Sequence, residues 1–342
     1  MIRLLKKVFI VFTAILLISF NTYFVAIALP EDGEEELLVD GNPVTSKAAI
    51  VIDHATGLVI LEYNADELRV PASMTKMIAV YVVFDAINDG IINFDTVFEI
   101  TGEASSFSYV RAFSNVPMPR GSAYTVRELL SVVISRSASA ATISLGEGLF
   151  GSEEALVAKM NEKMNLLGIE AEFSDSWGGS PENRISARGM VEFTRLFIKE
   201  YPEILEFSSK ESVFFDEIEY RSTNPLLTSY VGVDGFKTGY TRPAGWCFTG
   251  TASVDGRRII AVTMGSEQGN RFPDTEILLD YGFSYYNLTI AKHFRGAMSY
   301  NLDSFHLTGT PLVPISEFNI YESKHINIRD LAILLNETEK ND

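Results

Sequence analysis

Cysteine is almost missing from this chain of 342 residues. Cys247 stands alone, so no internal disulfide can form and a disulfide scaffold is excluded. Histidine is nearly as scarce. His54, His293, His306 and His325 are scattered, with none of the H-x-x-x-H or C-x-x-C spacings of a zinc site. No metal or other cofactor is therefore expected, and the scarcity of histidine points any nucleophilic chemistry here toward a base other than imidazole. Positive charge is short too: 28 Lys plus Arg face 45 Asp plus Glu, a formal charge of -17. A surface of that sign repels phosphate backbones, which removes nucleic acid as a partner. Internal repeats and low-complexity tracts are also lacking. What is present is 46% apolar and 21% charged residues, enough for a real core in one large or two ordinary domains.

The ends differ from the middle. Residues 1–28 read as an export signal, with Arg3, Lys6 and Lys7 as a basic n-region, Val8 to Phe20 as an apolar core and Ala26-Ile27-Ala28 as a cleavage site. Its removal takes three positive charges and no negative ones, so the formal -17 becomes -20. The competing reading is an uncleaved anchor, since Val8 to Leu29 is just long enough to span a bilayer; membrane association is expected only in that case. Either reading puts the rest outside the cytoplasm. Residues 29–44 carry Glu31, Asp32, Glu34, Glu35, Glu36 and Asp40 with no basic residue and read as a flexible acidic linker. Residues 289–342 form a short C-terminal extension without a basic amphipathic anchor helix.

Between them, 45–288 reads as a single domain. Ala48 to Asp53 and Leu58 to Tyr63 predict an antiparallel hairpin. Helices are predicted from Ser73 to Asp89, Thr125 to Ser135, Ala140 to Leu149, Glu153 to Leu167 and Ala187 to Lys199, the last capped by Ser186. Three strands follow, Gly235 to Thr241, Trp246 to Val254 and Arg257 to Met264, with Asp255-Gly256 as a two-residue turn. A final helix is predicted from Pro273 to Tyr286. Strands, helices, strands, helix imply an α/β fold of the α+β type: an antiparallel sheet flanked by helices, its strands drawn from opposite ends of the domain around a helical subdomain.

Three short motifs carry chemistry. Pro71-Ala72-Ser73-Met74-Thr75-Lys76 sets a serine and a lysine three residues apart on one face of a helix start. A neutral lysine amine there can take the serine proton, provided burial or another cation lowers its pKa. On its own, S-x-x-K is weak, because a capping serine beside a solvated lysine has the same pattern. Asp234-Gly235-Phe236-Lys237-Thr238-Gly239-Tyr240-Thr241 is a strand with lysine and glycine inside it. Such a glycine marks close approach of a backbone or ligand. Lys237 offers positive charge to keep Lys76 neutral, and Thr238 a hydroxyl for an anionic group. Ile134-Ser135-Arg136-Ser137-Ala138-Ser139 lies between them in sequence, where Ser137 can relay a proton; by itself it reads as a tight turn with capping serines.

In this order the motifs resemble the exported penicillin-binding D-alanyl-D-alanine carboxypeptidases, serine peptidases related in fold to the class A β-lactamases. The resemblance runs from Ser46 to Asn287 and includes Asn64-Ala65-Asp66-Glu67, Tyr124-Thr125-Val126-Arg127-Glu128-Leu129-Leu130, Ala187-Arg188-Gly189-Met190 and Leu279-Asp280-Tyr281-Gly282-Phe283. It implies a β-lactamase/transpeptidase-like fold with Ser73 as nucleophile, Lys76 as general base and Ser137 as proton shuttle. It implies Ser139, Lys237, Thr238, Gly239, Tyr240 and Arg271 as substrate-binding residues, with the backbone N–H groups of Ser73 and Tyr240 as oxyanion hole. The implied partners are a peptidoglycan stem peptide ending in D-Ala-D-Ala and β-lactam antibiotics as inhibitors.

Two departures stand out. The family's Ser-x-Asn is Ser137-Ala138-Ser139 here, so a hydroxyl replaces an amide. The tail is too short for the β-rich C-terminal domain of full-length relatives. Ser139 keeps open a degenerate peptidoglycan- or penicillin-binding homologue with weak or no turnover. A β-lactamase is disfavoured because no E-x-x-x-N segment follows the second motif. Cys247 is expected to be a buried thiol and Trp177-Gly178-Gly179 a loop near the cleft.

Overall fold

The structure is a computed structural model and describes residues 37–286. The export signal, the first part of the acidic linker and the C-terminal extension lie outside the described residues. The linker expected over 29–44 ends earlier than its composition suggests. Leu37–Val39 (β1) and Asn42–Val44 (β2) pair as a short hairpin, because Val39 and Val44 are buried in a core formed largely by the last helix and the sheet.

That sheet has five antiparallel strands. Ala48–Asp53 (β3) and Val59–Tyr63 (β4) form the predicted first hairpin. Asp53 shapes its turn by accepting from the Thr56 N–H and hydroxyl at 2.8 and 2.7 Å, an Asx-type turn. Short ribbons follow in the middle of the chain: Val97–Glu99 (β5) with Ala123–Thr125 (β6), Ala171–Glu172 (β7) with Arg184–Ile185 (β8), and Ser212–Phe215 (β9) with Ile218–Arg221 (β10). Val233–Thr241 (β11), Gly245–Val254 (β12) and Arg257–Ser266 (β13) complete the sheet in the spatial order β11-β12-β13-β3-β4. The Asp255-Gly256 turn has positive φ at both residues, 49° and 76°, as a twist-matched hairpin turn requires.

β3 is buried throughout because the sheet is covered on both faces. Ile50 and Ile52 belong to the large core shared with the helical part. Ala49 and Val51 belong to the second core with Leu278, Leu279 and Phe283 of the last helix. Each of those large side chains contributes roughly 1.5–3 kcal/mol of burial.

The helices are Lys76–Asn88 (α1), Gly102–Ser108 (α2), Val126–Ser135 (α3), Ser139–Phe150 (α4), Glu153–Leu166 (α5), Ala187–Glu200 (α6), Ile204–Ser208 (α7), Leu226–Ser229 (α8) and Arg271–Ser284 (α9). Thr125 and Glu128 form a reciprocal capping box on α3, and Ser186 caps α6 as expected. α1 is buried all round, from Met77 to Phe84 without a break, which makes it the central helix of the subdomain rather than a surface one. The helix predicted from Ser73 begins later. Ala72–Thr75 is a 3-10 turn, and Lys76 opens the α-helix. Among the described residues no helix is long and apolar enough to cross a membrane.

Candidate active site

The 3-10 turn decides the geometry of the first motif. Residues three apart eclipse in such a turn, and Lys76 Nζ lies 3.0 Å from Ser73 Oγ as donor. Ala72, just before the serine, is held at φ 50°, a left-handed conformation that costs an alanine of order 1 kcal/mol. Lys76 also donates to the carbonyl of Trp177. Its amine is fully buried, and burial lowers its pKa from 10.5 to about 7, against the opposing pull of Asp175 and Glu153. The expectation that Lys237 keeps Lys76 neutral thus gives way to desolvation. The cationic neighbourhood acts on Lys237 itself, which burial first, then Lys76 and Arg271, push well below the ordinary lysine range.

One cleft of about 270 Å³ gathers the other predicted residues: Ser73, Ser137, Ser139, Thr238, Gly239, Tyr240 and Arg271 all line it. Lys76 and Lys237 lie behind its wall at 0% and 1% exposure. Lys237 Nζ donates to the Thr238 carbonyl at 3.0 Å. Gly239 marks a close approach: a Cβ there would sit 2.7 Å from the Pro71 carbonyl oxygen and 3.3 Å from the Ser73 nitrogen. Tyr240 is half-exposed, its ring 4.2 Å from that of Trp246. Arg271 opens α9, donates to the Gly239 carbonyl at 3.1 Å and lies over Trp246 and Phe272. Burial lowers it to about 10, and its Nε is buried without a partner among the described residues.

Ser137 sits at φ 63° in the turn between α3 and α4, its buried Oγ also without a partner among the described residues. Ser139 opens α4 and donates its N–H to the Ser114 carbonyl at 2.9 Å. Cys247 is buried, and burial pushes its thiol up to about 11, the setting of an inert thiol rather than a nucleophile. Among the described residues no group of three or more His, Cys, Asp or Glu is placed to hold a metal ion.

Sequence reasoning missed two residues. Thr223, whose hydroxyl is 2.8 Å from that of Thr238, belongs to no motif. Asp175 organises the loop behind Lys76: its carboxylate accepts from the N–H groups of Gly178, Gly179 and Ser180 and from the Asn183 amide. The Asp-x-x-Gly-Gly pattern was the available signal, since an Asx side chain followed by glycines marks such a turn. Gly178 has φ 84°, and a Cβ there would lie 2.0 Å from the Ala72 carbonyl oxygen. Gly178→Ala is expected to displace the serine turn and lower the rate of acylation by a labelled penicillin about 100-fold. An unchanged rate would show that the loop can yield.

A five-stranded antiparallel sheet with helices on both faces, and a serine–lysine pair where sheet and helices meet, define the class of penicillin-binding, transpeptidase-like folds. A sequence profile of the D-alanyl-D-alanine carboxypeptidases, peptidase family S11, matches residues 35–268, and the chain belongs to that family. It is 30% identical over 262 residues to D-alanyl-D-alanine carboxypeptidase DacF of Bacillus subtilis, a match covering 72% of this chain and 66% of that relative. Among solved structures it is similar to a peptidoglycan synthesis regulatory factor (PBP3) from Streptococcus pneumoniae, with TM-score 0.67, 33% identity and coverage of 70% of this chain and 72% of that one. It is also similar to penicillin-binding protein D2 from Listeria monocytogenes in its cefotaxime-bound form, with TM-score 0.62, 29% identity and coverage of 70% and 98%.

Proposed function

We propose that this chain is an exported serine D-Ala-D-Ala carboxypeptidase that trims the terminal D-alanine from peptidoglycan stem pentapeptides through a Ser73 acyl-enzyme and is acylated by penicillins. The observation that carries the reading is a charge imbalance. Lys76 and Lys237 are buried behind one cleft that Arg271 lines, and among the described residues no carboxylate side chain lines it. A cleft lined by the Arg271 guanidinium and by no acidic side chain favours an anionic ligand, and a peptide with a free C-terminal carboxylate supplies it.

In this reading the terminal carboxylate is held by Thr238 and Arg271, with Lys237 behind the cleft wall favoured in its charged form by the ligand's negative charge. Ser73 Oγ attacks the carbonyl between the two D-alanines while Lys76 Nζ takes its proton. The backbone N–H groups of Ser73 and Tyr240 receive the oxyanion. Ser137 passes a proton to the departing D-alanine amine, and water then attacks the Ser73 ester with Lys76 again as base. The β-lactam-bound forms of the Listeria protein support the same cleft as the antibiotic site. The basic and apolar leader at 1–28 supports an extracytoplasmic location.

The test is release of D-alanine from a purified stem pentapeptide, with Ser139→Asn assayed alongside. Turnover is expected for both, and the asparagine variant is expected to be about five- to tenfold faster in kcat/KM, the worth of one regained hydrogen bond to substrate. Penicillin labelling with no D-alanine release from either would instead favour the second reading that Ser139 motivates, a wall-binding homologue without turnover.

A further inference from the structure

Part of the cleft is apolar, and neither the proton transfers nor the carboxylate site uses it. Phe107 stacks on Phe113 with ring centroids 5.5 Å apart and planes inclined by 17°. Trp177 closes on both, at 5.0 and 4.7 Å. Phe113 and Trp177 line the same cleft as Ser73, and Phe113 remains 39% exposed, so the cluster turns a wall toward the entering ligand while Phe107 and Trp177 pack against the core behind it.

The wall is held in place from three directions. Gly179 lies so close beneath the indole that a Cβ would sit 1.9 Å from it, and Asp175 fixes the Gly179 N–H. Asn115 ties the loop together: its Oδ1 accepts from the Ala140 N–H at 2.8 Å and its Nδ2 donates to the Phe107 carbonyl at 3.0 Å. The Ser114 carbonyl, next to Phe113, accepts from the Ser139 N–H. A surface that is rigid before binding loses little entropy when a ligand covers it.

Its electrostatic surroundings are one-sided. Lys76 Nζ already lies 5.9 Å from the Trp177 ring centroid, and among the described residues no carboxylate lines the cleft. A substrate ammonium placed here gives up water without gaining an acidic partner on the cleft wall, which costs affinity. An uncharged chain laid on Phe113 and Trp177 gains about 25 cal/mol for each Å² of apolar surface buried.

We propose that Phe113 and Trp177 form a specificity subsite that selects acyl donors whose residue preceding D-Ala-D-Ala carries an uncharged, apolar side chain over those carrying an ammonium. The subsite rests on the carboxypeptidase reading above.

The experiment uses the full chain and two peptides, Nα-acetyl-L-Lys-D-Ala-D-Ala with its ε-amine free and the same peptide Nε-acetylated, with D-alanine release as readout. The acetylated peptide is expected to be preferred by at least about tenfold in kcat/KM, equivalent to about 1.4 kcal/mol. Phe113→Leu is expected to keep part of that preference, and Phe113→Glu to reverse it in favour of the free amine, which a merely structural role for Phe113 does not produce. Equal rates for the two peptides, or a preference that Phe113→Glu leaves untouched, overturn the subsite while D-alanine release keeps the carboxypeptidase reading standing. No release from either peptide and no penicillin adduct on Ser73 overturn both.

Discussion

Replacing Ser73 by alanine is expected to remove penicillin acylation, with the second-order rate constant falling by about 10⁴- to 10⁶-fold. Ser137, Ser139 and Thr238 share the cleft, but among the described residues only the Ser73 hydroxyl receives a hydrogen bond from a buried lysine amine. The remaining hydroxyls have no base to deprotonate them, and serine is a poor nucleophile until it is deprotonated. Lys76 keeps its bond to the Trp177 carbonyl in the variant, and Ser73 is partly exposed, so stability should move by no more than about 0.5 kcal/mol. Intact-protein mass spectrometry after incubation with penicillin, together with a melting curve, separates the two effects. A variant that labels as strongly as the parent places the nucleophile elsewhere.

Lys76→Met is expected to cost about 10²- to 10⁴-fold in acylation, the usual worth of a general base, and to make the protein more stable. The second half follows from linkage. Lys76 is held at about 7, against 10.5 for an ordinary lysine. Between those values the unfolded chain binds more protons than the folded one, so stability rises with pH across the window of about 7 to 10.5. At pH 7 the parent therefore carries a burial cost that methionine lacks. After allowance for the lost bonds to Ser73 and Trp177 the gain is about 2 kcal/mol, a few degrees in Tm. The parent's acylation should fall about tenfold per pH unit below pH 7 as the amine protonates. A variant that melts lower than the parent at pH 7 would contradict a desolvated, neutral-leaning lysine.

The scaffold was legible wherever local patterning and burial agreed. The apolar run 48–53, the Asp255-Gly256 turn and the Ser186 cap depend on near neighbours, and each appears where the pattern places it. Reading failed where a distant segment decides. Leu37 to Val44 looks like charged linker in isolation and becomes a hairpin because the second core receives Val39 and Val44. Ser73 looks like the start of a helix and lies in a 3-10 turn, with β11 pressed against it at Gly239.

The site divides in the same way. The sequence by itself determined which residues the proposed chemistry draws on: a serine and a lysine three apart, a Ser-x-Ser turn, a Lys-Thr-Gly strand and an arginine before the last helix, in an order that points to the family. It also placed no histidine in any of these motifs. Only the tertiary structure decided the burial of Lys76, the pairing of Thr223 with Thr238, the place of Asp175 and the aromatic wall of Phe107, Phe113 and Trp177. Motifs are matters of spacing along the chain. Desolvation and ring stacking depend on which remote segments close over a group, and that is settled when helices and sheet pack together.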